Sequence, residues 1–171
     1  MKKNSGFTLL ELMITLTVIT LVMAIGIPSM RTFIQNDRLT TQINTLVGHL
    51  AYARSEAVKR SQQVSLCVSN NTTSCTGGNN WQNGWIIYVD SDGDGSFTAG
   101  EEILRAKQTL DGSNTLNPAT ITTQVTYDYR GFVTAASVGS FSLCDSRGAS
   151  YGKAIAISTT GRVRKEGTVA C

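Results

Sequence analysis

From Phe7 to Met30 the chain runs for 24 residues with a single charge, Glu11. No other feature limits the fold as strongly. A helix rises ~1.5 Å per residue, so ~20 apolar residues cross a hydrocarbon layer ~30 Å thick. Lys2 and Lys3 precede the run, and by the positive-inside rule they hold the extreme N-terminus in the cytoplasm. The rest of the chain is then expected outside the inner membrane, in the periplasm. A secretory signal peptide would instead carry a small-x-small cleavage site after its apolar core. Val22-Met23-Ala24-Ile25-Gly26-Ile27-Pro28 offers no good site of that kind, and the small residue Gly6 lies before the run. Glu11 is the anomaly. A carboxylate at this depth costs about 2.5–3.5 kcal/mol on insertion scales, and such groups are functional by default.

After Met30 the apolar residues regroup on one face. Leu39, Ile43, Leu46, Leu50, Ala53 and Ala57 recur at three- and four-residue steps, which predicts an amphipathic helix continuing to about Lys59–Arg60. His49 falls at the border of that stripe. Beyond Ser61 the period changes to two. Val64, Leu66 and Val68 alternate, and Trp85–Val89, Glu102–Ala106, Gln124–Tyr129, Ser140–Cys144, Lys153–Ser158 and Arg162–Glu166 each read as a short strand. Turns rich in Gly and Asn separate them. A long helix followed by antiparallel strands is an α+β arrangement, here with a head of about 110 residues around a small core.

Four cysteines, Cys67, Cys75, Cys144 and Cys171, lie in the exported part. An even number in an oxidising compartment reads as disulfides, with three connectivities open. Nearest-neighbour pairing, Cys67–Cys75 and Cys144–Cys171, closes the shortest loops, worth about 2.6 and 3.6 kcal/mol by chain entropy. Zinc is a poor rival, because no CxxC spacing exists and the single histidine is remote.

Several function classes drop out. One histidine removes most imidazole catalysis, and no phosphate loop, nucleophile elbow or triad is present. A net charge of +3 leaves any nucleic-acid role to a local patch. One acidic motif stands apart: Asp90-Ser-Asp92-Gly-Asp94-Gly95, five residues, then Glu101. It satisfies the EF-hand loop pattern, with Asp90, Asp92, Asp94 and Glu101 as carboxylate ligands and Ser96 offering its carbonyl to calcium. The strand-like flanks favour the alternative of an acidic hairpin loop that needs no metal. Trp81, Trp85, Tyr127 and Phe141 read as core.

The first twelve residues, Met1-Lys-Lys-Asn-Ser-Gly6-Phe7-Thr8-Leu9-Leu10-Glu11-Leu12, resemble the class III leader of type IV pilins and pseudopilins. The resemblance implies cleavage between Gly6 and Phe7 by prepilin peptidase, then N-methylation of Phe7. Glu11 becomes the fifth mature residue, its carboxylate expected to face a neighbouring subunit's N-terminal amine. Pairing makes a buried charge tolerable and sets register during assembly. Pro28 matches too, since a mid-helix proline removes a hydrogen bond and leaves a kink or a meltable point. The implied organisation is a leader over residues 1–6, a membrane and filament-core helix over 7–30, and a periplasmic head over 31–171 that includes the amphipathic helix 31–60.

The head extends the likeness. Ala53-Arg-Ser-Glu-Ala-Val-Lys-Arg60, Val64-Ser-Leu-Cys67, Trp81 with Gly84-Trp85, and Gly161-Arg-Val-Arg164 are similar to the FimT/GspH group of minor pilins and pseudopilins. Membership implies a low-abundance subunit near a filament tip, with other major and minor pilins as partners, and no enzymatic activity. Type IV pili and the pseudopilus of type II secretion share the group, so both remain open. The Gly-Arg-x-Arg block is similar to that of FimT-type pilins implicated in DNA uptake during natural transformation, which would place the subunit in a pilus at the cell surface.

Physically, Arg162 and Arg164 on a strand project to one face about 7 Å apart, near the spacing of successive phosphates. Such forks suit phosphate oxygens and read no sequence. A Cys144–Cys171 bridge would draw Arg147 towards the same region, so Arg147, Lys165 and Lys153 are expected to join the patch. From Tyr127 onward there are six basic and three acidic residues. An ordinary solvated strand end accounts for the same charges without a ligand.

Overall fold

A computed structural model describes residues 6–121 and 123–171. Of the expected leader, only Gly6 is among them; residues 1–5 lie outside the described residues. Helix α1 spans Leu9–Arg60 and runs unbroken through Pro28. Two compact units divide it, one ending at Asp37 and the other formed by Arg38–Cys171.

In the first unit α1 starts with reciprocal capping. Glu11 Oε2 accepts from the Thr8 amide at 2.9 Å and from the Thr8 hydroxyl at 3.0 Å, and Thr8 Oγ1 accepts from the Glu11 amide at 3.2 Å. Two amides that a helix start leaves orphaned are thereby satisfied. The helix contains an 18-residue window of mean hydropathy 2.3, none of it buried, long and apolar enough to cross a membrane. Three of its threonines are closed internally: Thr15, Thr17 and Thr20 donate their hydroxyls to the carbonyls of Leu12, Met13 and Thr17.

The second unit begins where burial begins. Leu39 is its first buried side chain, and Ile43, Leu46, Leu50, Ala53 and Ala57 follow at helical spacing. Each Leu or Ile so covered contributes about 1.5–3 kcal/mol relative to exposure. Eight strands follow: β1 Gln63–Val68, β2 Gly84–Asp90, β3 Ile103–Gln108, β4 Thr115–Ala119, β5 Gln124–Tyr127, β6 Gly139–Cys144, β7 Lys153–Ile157 and β8 Val163–Glu166. They form two antiparallel sheets, ordered β3-β2-β1-β5 and β4-β6-β7-β8. One core joins the helix stripe to both sheets, through Leu66, Trp81, Trp85, Val125, Phe141 and Ile155 among others.

Polar contacts fix the helix on this core. Gln42 donates to the Asp111 carbonyl at 2.8 Å and accepts from Asn114 Nδ2 at 2.7 Å. Trp85 donates its indole N–H to His49 Nδ1 at 2.9 Å, so the half-buried imidazole is a neutral acceptor. Burial, with Arg105 and Lys107 nearby, pushes its pKa down. Disulfides join Cys67 to Cys75 and Cys144 to Cys171, with Cα–Cα separations of 5.6 and 5.8 Å.

Strand β4 was not legible. Thr115-Leu-Asn-Pro-Ala119 buries only Leu116 fully and carries Pro118, a residue that reads as a breaker. It is an end strand paired with β6 alone, the position where a proline's missing N–H disturbs no ladder.

Candidate nucleic-acid interface

Strands β7 and β8 form a hairpin closed by Ser158–Arg162. The Gly161 amide donates to the Ser158 carbonyl at 2.8 Å, and the Ser158 amide to the Arg162 carbonyl at 3.0 Å. Gly161 has φ +73°, and a Cβ there would run into the Gly131 carbonyl. Only glycine meets both demands. Arg162 leaves this turn, and Arg164 follows on β8 opposite Ala156. Two residues apart on extended chain, they share a face about 7 Å apart. Both are exposed, and neither has a carboxylate partner among the described residues. Val163, opposite Ile157, packs on the core.

Lys153 and Lys165 meet Arg164 at a groove that Ile43, Val47 and Val163 also line. Lys165 lies opposite Ile155 and therefore on the Val163 side of β8, while Glu166, opposite Ala154, takes the face of the arginines. Lys153 opens β7 at the far end of the hairpin, about 17 Å from Arg162 by strand rise. Arg147 lies beyond it, in the loop between β6 and β7. Its Nε and Nη2 donate to Asp145 Oδ2 at 2.9 and 2.6 Å, and its Cζ sits 4.2 Å from the Tyr151 ring centre. The pair is 16% and 5% exposed. Hydrogen bonding from Arg147, outweighing burial, holds the Asp145 carboxyl below its usual range. Of the five expected residues, Arg162 and Arg164 share an exposed face, Lys153 and Lys165 meet Arg164 at the groove, and Arg147 is tied to Asp145 and Tyr151. Strand alternation puts Lys165 on the groove side of β8, and the Cys144–Cys171 bridge ties the C-terminus to β6, where the Ala170 amide donates to Ser142 Oγ at 3.1 Å.

A neighbouring group escaped the sequence reading. Strand β5 ends at Tyr127, two residues before the expected Tyr129, because Asp128 turns the chain. Asp128 Oδ1 accepts the amides of Arg130 and Phe132 at 2.8 and 3.0 Å, and Oδ2 accepts Arg130 Nε and Nη2 at 3.0 and 2.8 Å. Against the upward push of desolvation, these hydrogen bonds hold the Asp128 carboxyl below its usual range. Tyr129 and Phe132 are left 57% and 46% exposed, with the Arg130 Cζ 5.4 and 5.5 Å from their ring centres. Arg54 Nε donates to the Gly131 carbonyl at 3.0 Å, and the Val133 amide to Thr159 at 3.2 Å. The loop is therefore seated against both α1 and the Ser158–Arg162 turn. The available signal was the Asp-x-Arg-Gly turn, which breaks the alternation that would otherwise carry Tyr129 inward.

The acidic motif forms the loop between β2 and β3, flanked by strands and not by helices. Carboxylate oxygens of Asp90, Asp92 and Asp94 lie within 4.8 Å of one another. Each is already an acceptor: Asp90 for the Gly93 and Gly95 amides, Asp92 for Asp94, and Asp94 for Ser96. Glu101 turns to the Ser91 and Thr98 amides, both at 2.9 Å. Burial raises the Asp90 pKa. The loop is closed by its own amides.

Residues 42–161 match the family Type II transport protein GspH, and residues 1–27 match the Prokaryotic N-terminal methylation motif. The fold is similar to that of the type IV minor pilin FimU of Pseudomonas aeruginosa (strain PAO1) in two crystal forms. One shares 22% identity over 78% of this chain and 92% of that chain, with a TM-score of 0.61. The other shares 22% over 74% and 91%, with a TM-score of 0.57. No curated protein matches the sequence. Helix, twin antiparallel sheets, methylation motif and a family match over most of the chain agree: this protein belongs to the GspH family of filament-building subunits, as a minor pilin or pseudopilin and not an enzyme.

Proposed function

We propose that this minor pilin binds DNA through the sugar-phosphate backbone, without reading base sequence, for uptake during natural transformation. The observation that carries the reading is the pair Arg162 and Arg164, exposed on one face of a glycine-set hairpin without carboxylate partners among the described residues. Two guanidinium forks at phosphate spacing, without an ion pair among the described residues, gain charge-assisted hydrogen bonds to phosphate oxygens. Two neutralised phosphates correspond to a log–log salt slope near −1.8 on duplex, with affinity in the micromolar range or weaker. The test is a gel shift of the full chain in mild detergent. Arg162→Gln with Arg164→Gln is expected to lower affinity alike for every sequence and to flatten the salt slope. Unchanged binding by that double variant refutes the reading.

The remainder of the chain serves delivery. Prepilin peptidase removes residues 1–6, Phe7 is N-methylated, residues 7–30 anchor the chain before assembly, and the head over 31–171 folds in the periplasm. Glu11 then exchanges its Thr8 contacts for a neighbouring subunit's amine. A Gly6→Val variant is expected to stay unprocessed, whereas Glu11→Ala is processed and enters filaments poorly.

The pseudopilus of type II secretion is a second reading, favoured by the description of the matched family. A deletion strain separates the two: lost transformation with normal secretion supports the DNA reading, and lost secretion with normal transformation supports the pseudopilus.

A further inference from the structure

We propose that the loop from Asp128 to Phe132 is a stacking platform for unpaired bases, so that the head prefers single-stranded to double-stranded DNA. The inference rests on the DNA reading above and adds the form of DNA. Its basis is a juxtaposition of two chemistries. Arg162, beside the Gly161 turn, offers charge, and the loop packed on that turn offers two half-exposed rings with a guanidinium between them.

Isolated exposed aromatics are ordinary on a protein surface. These two are different in how they are held. Four hydrogen bonds to Asp128 fix the loop, and Arg54 pins its carbonyl to α1. The rings are therefore presented without an ordering cost at binding. Arg130 is paired with Asp128, which holds its guanidinium beside both rings. In a duplex the base faces are already stacked on each other. In a single strand they are open, and each base that stacks on an aromatic ring gains affinity whatever its sequence. The backbone of the same strand then passes to the unpaired arginines of the adjoining hairpin.

Stacking and phosphate contact respond differently to salt, which separates the two claims. The experiment measures affinity of the full chain in detergent for oligo(dT) and for a mixed-sequence duplex of equal phosphate number, across salt concentrations. The parent is expected to favour the single strand about tenfold. Tyr129→Leu with Phe132→Leu should abolish that preference, leave duplex binding unchanged, and leave the salt slope unaltered. Arg162→Gln with Arg164→Gln should weaken both ligands and flatten the slope. If the ring variant binds both ligands like the parent, or loses both equally, the platform is refuted while the DNA reading stands. If the parent binds neither ligand, the DNA reading fails and the platform with it. If the ring variant enters filaments poorly yet keeps its single-strand preference, the rings serve a neighbouring subunit and the inference is overturned. Ultraviolet cross-linking of the parent to oligo(dT) needs no variant: adducts on Tyr129 or Phe132 support the platform, and adducts confined elsewhere overturn it.

Discussion

The head contains the same four-residue turn twice. Asp128-Tyr-Arg130-Gly131 and Asp145-Ser-Arg147-Gly148 both end in a glycine with positive φ, +80° and +85°. In both, the aspartate accepts the arginine amide on one oxygen, at 2.8 and 2.9 Å, and the guanidinium on the other. Their surroundings differ. Arg130 is 63% exposed beside two open rings, whereas Arg147 is 16% exposed and stacked on Tyr151. Local sequence therefore determines the turn, and tertiary placement determines whether its arginine meets solvent. One copy presents a surface; the other folds its arginine into the head against Tyr151.

The strongest way to break this contrast is to uncover the buried copy. Cys144 directly precedes Asp145, and its bridge holds the C-terminal segment against β6. Replacing Cys144 and Cys171 by serine is expected to cost about 3.6 kcal/mol of stability. Amide exchange should then quicken over residues 146–152 and stay unchanged over 129–132. Next in size is Asp145→Ala, which strands a largely buried guanidinium and should cost about 3 kcal/mol in denaturant titration. Asp128→Ala, at an exposed pair, is expected to move the midpoint far less.

Acid sharpens the comparison further. Both aspartates have folded pKa values below the usual carboxylate value. Their contribution is complete above the unfolded pKa and is lost only as pH falls through the lower folded one, below about 4. His49 also has a depressed pKa, so its contribution is complete above about 6.5 and declines as pH falls below that. Stability measured from pH 7 to 5 should therefore drop through the His49–Trp85 contact while both turns remain closed. His49→Gln should flatten that limb. The smallest effect is expected from Asp128→Asn, which keeps the turn's shape and loosens its grip on Arg130. Melting should hardly change, and single-strand affinity should fall about threefold as the platform loses preorganisation.

Much of this architecture was readable from periodicity. The stripe from Leu39 to Ala57 marked the buried helix face, and the change of period after Ser61 marked the sheets, because one repeat each dominated those segments. Where two rules competed, reading failed. Pro118 masked β4, since an end strand tolerates what an inner one does not. Tyr129 continued the alternation of Val125 and Tyr127, yet the Asp128 turn took it out of the core. The site was half legible. The spacing of Arg162 and Arg164 is a strand property and survives into the fold. The pairing of Arg147 with Asp145 is local to its turn, but its burial against Tyr151 depends on how the loop between β6 and β7 packs, which no local pattern encodes.

Strand β8 pairs with β7 on one side only, which leaves its other row of backbone groups open to any extended chain. Such rims are where folded proteins begin to aggregate, and charge along them is a common defence. Arg164, Lys165 and Glu166 line this rim, and Arg162 guards its start. The arginines offered to phosphate thus also keep identical heads from adding to one another strand by strand. Neutralising them is expected to produce a head that self-associates at high concentration, with β8 as the seam.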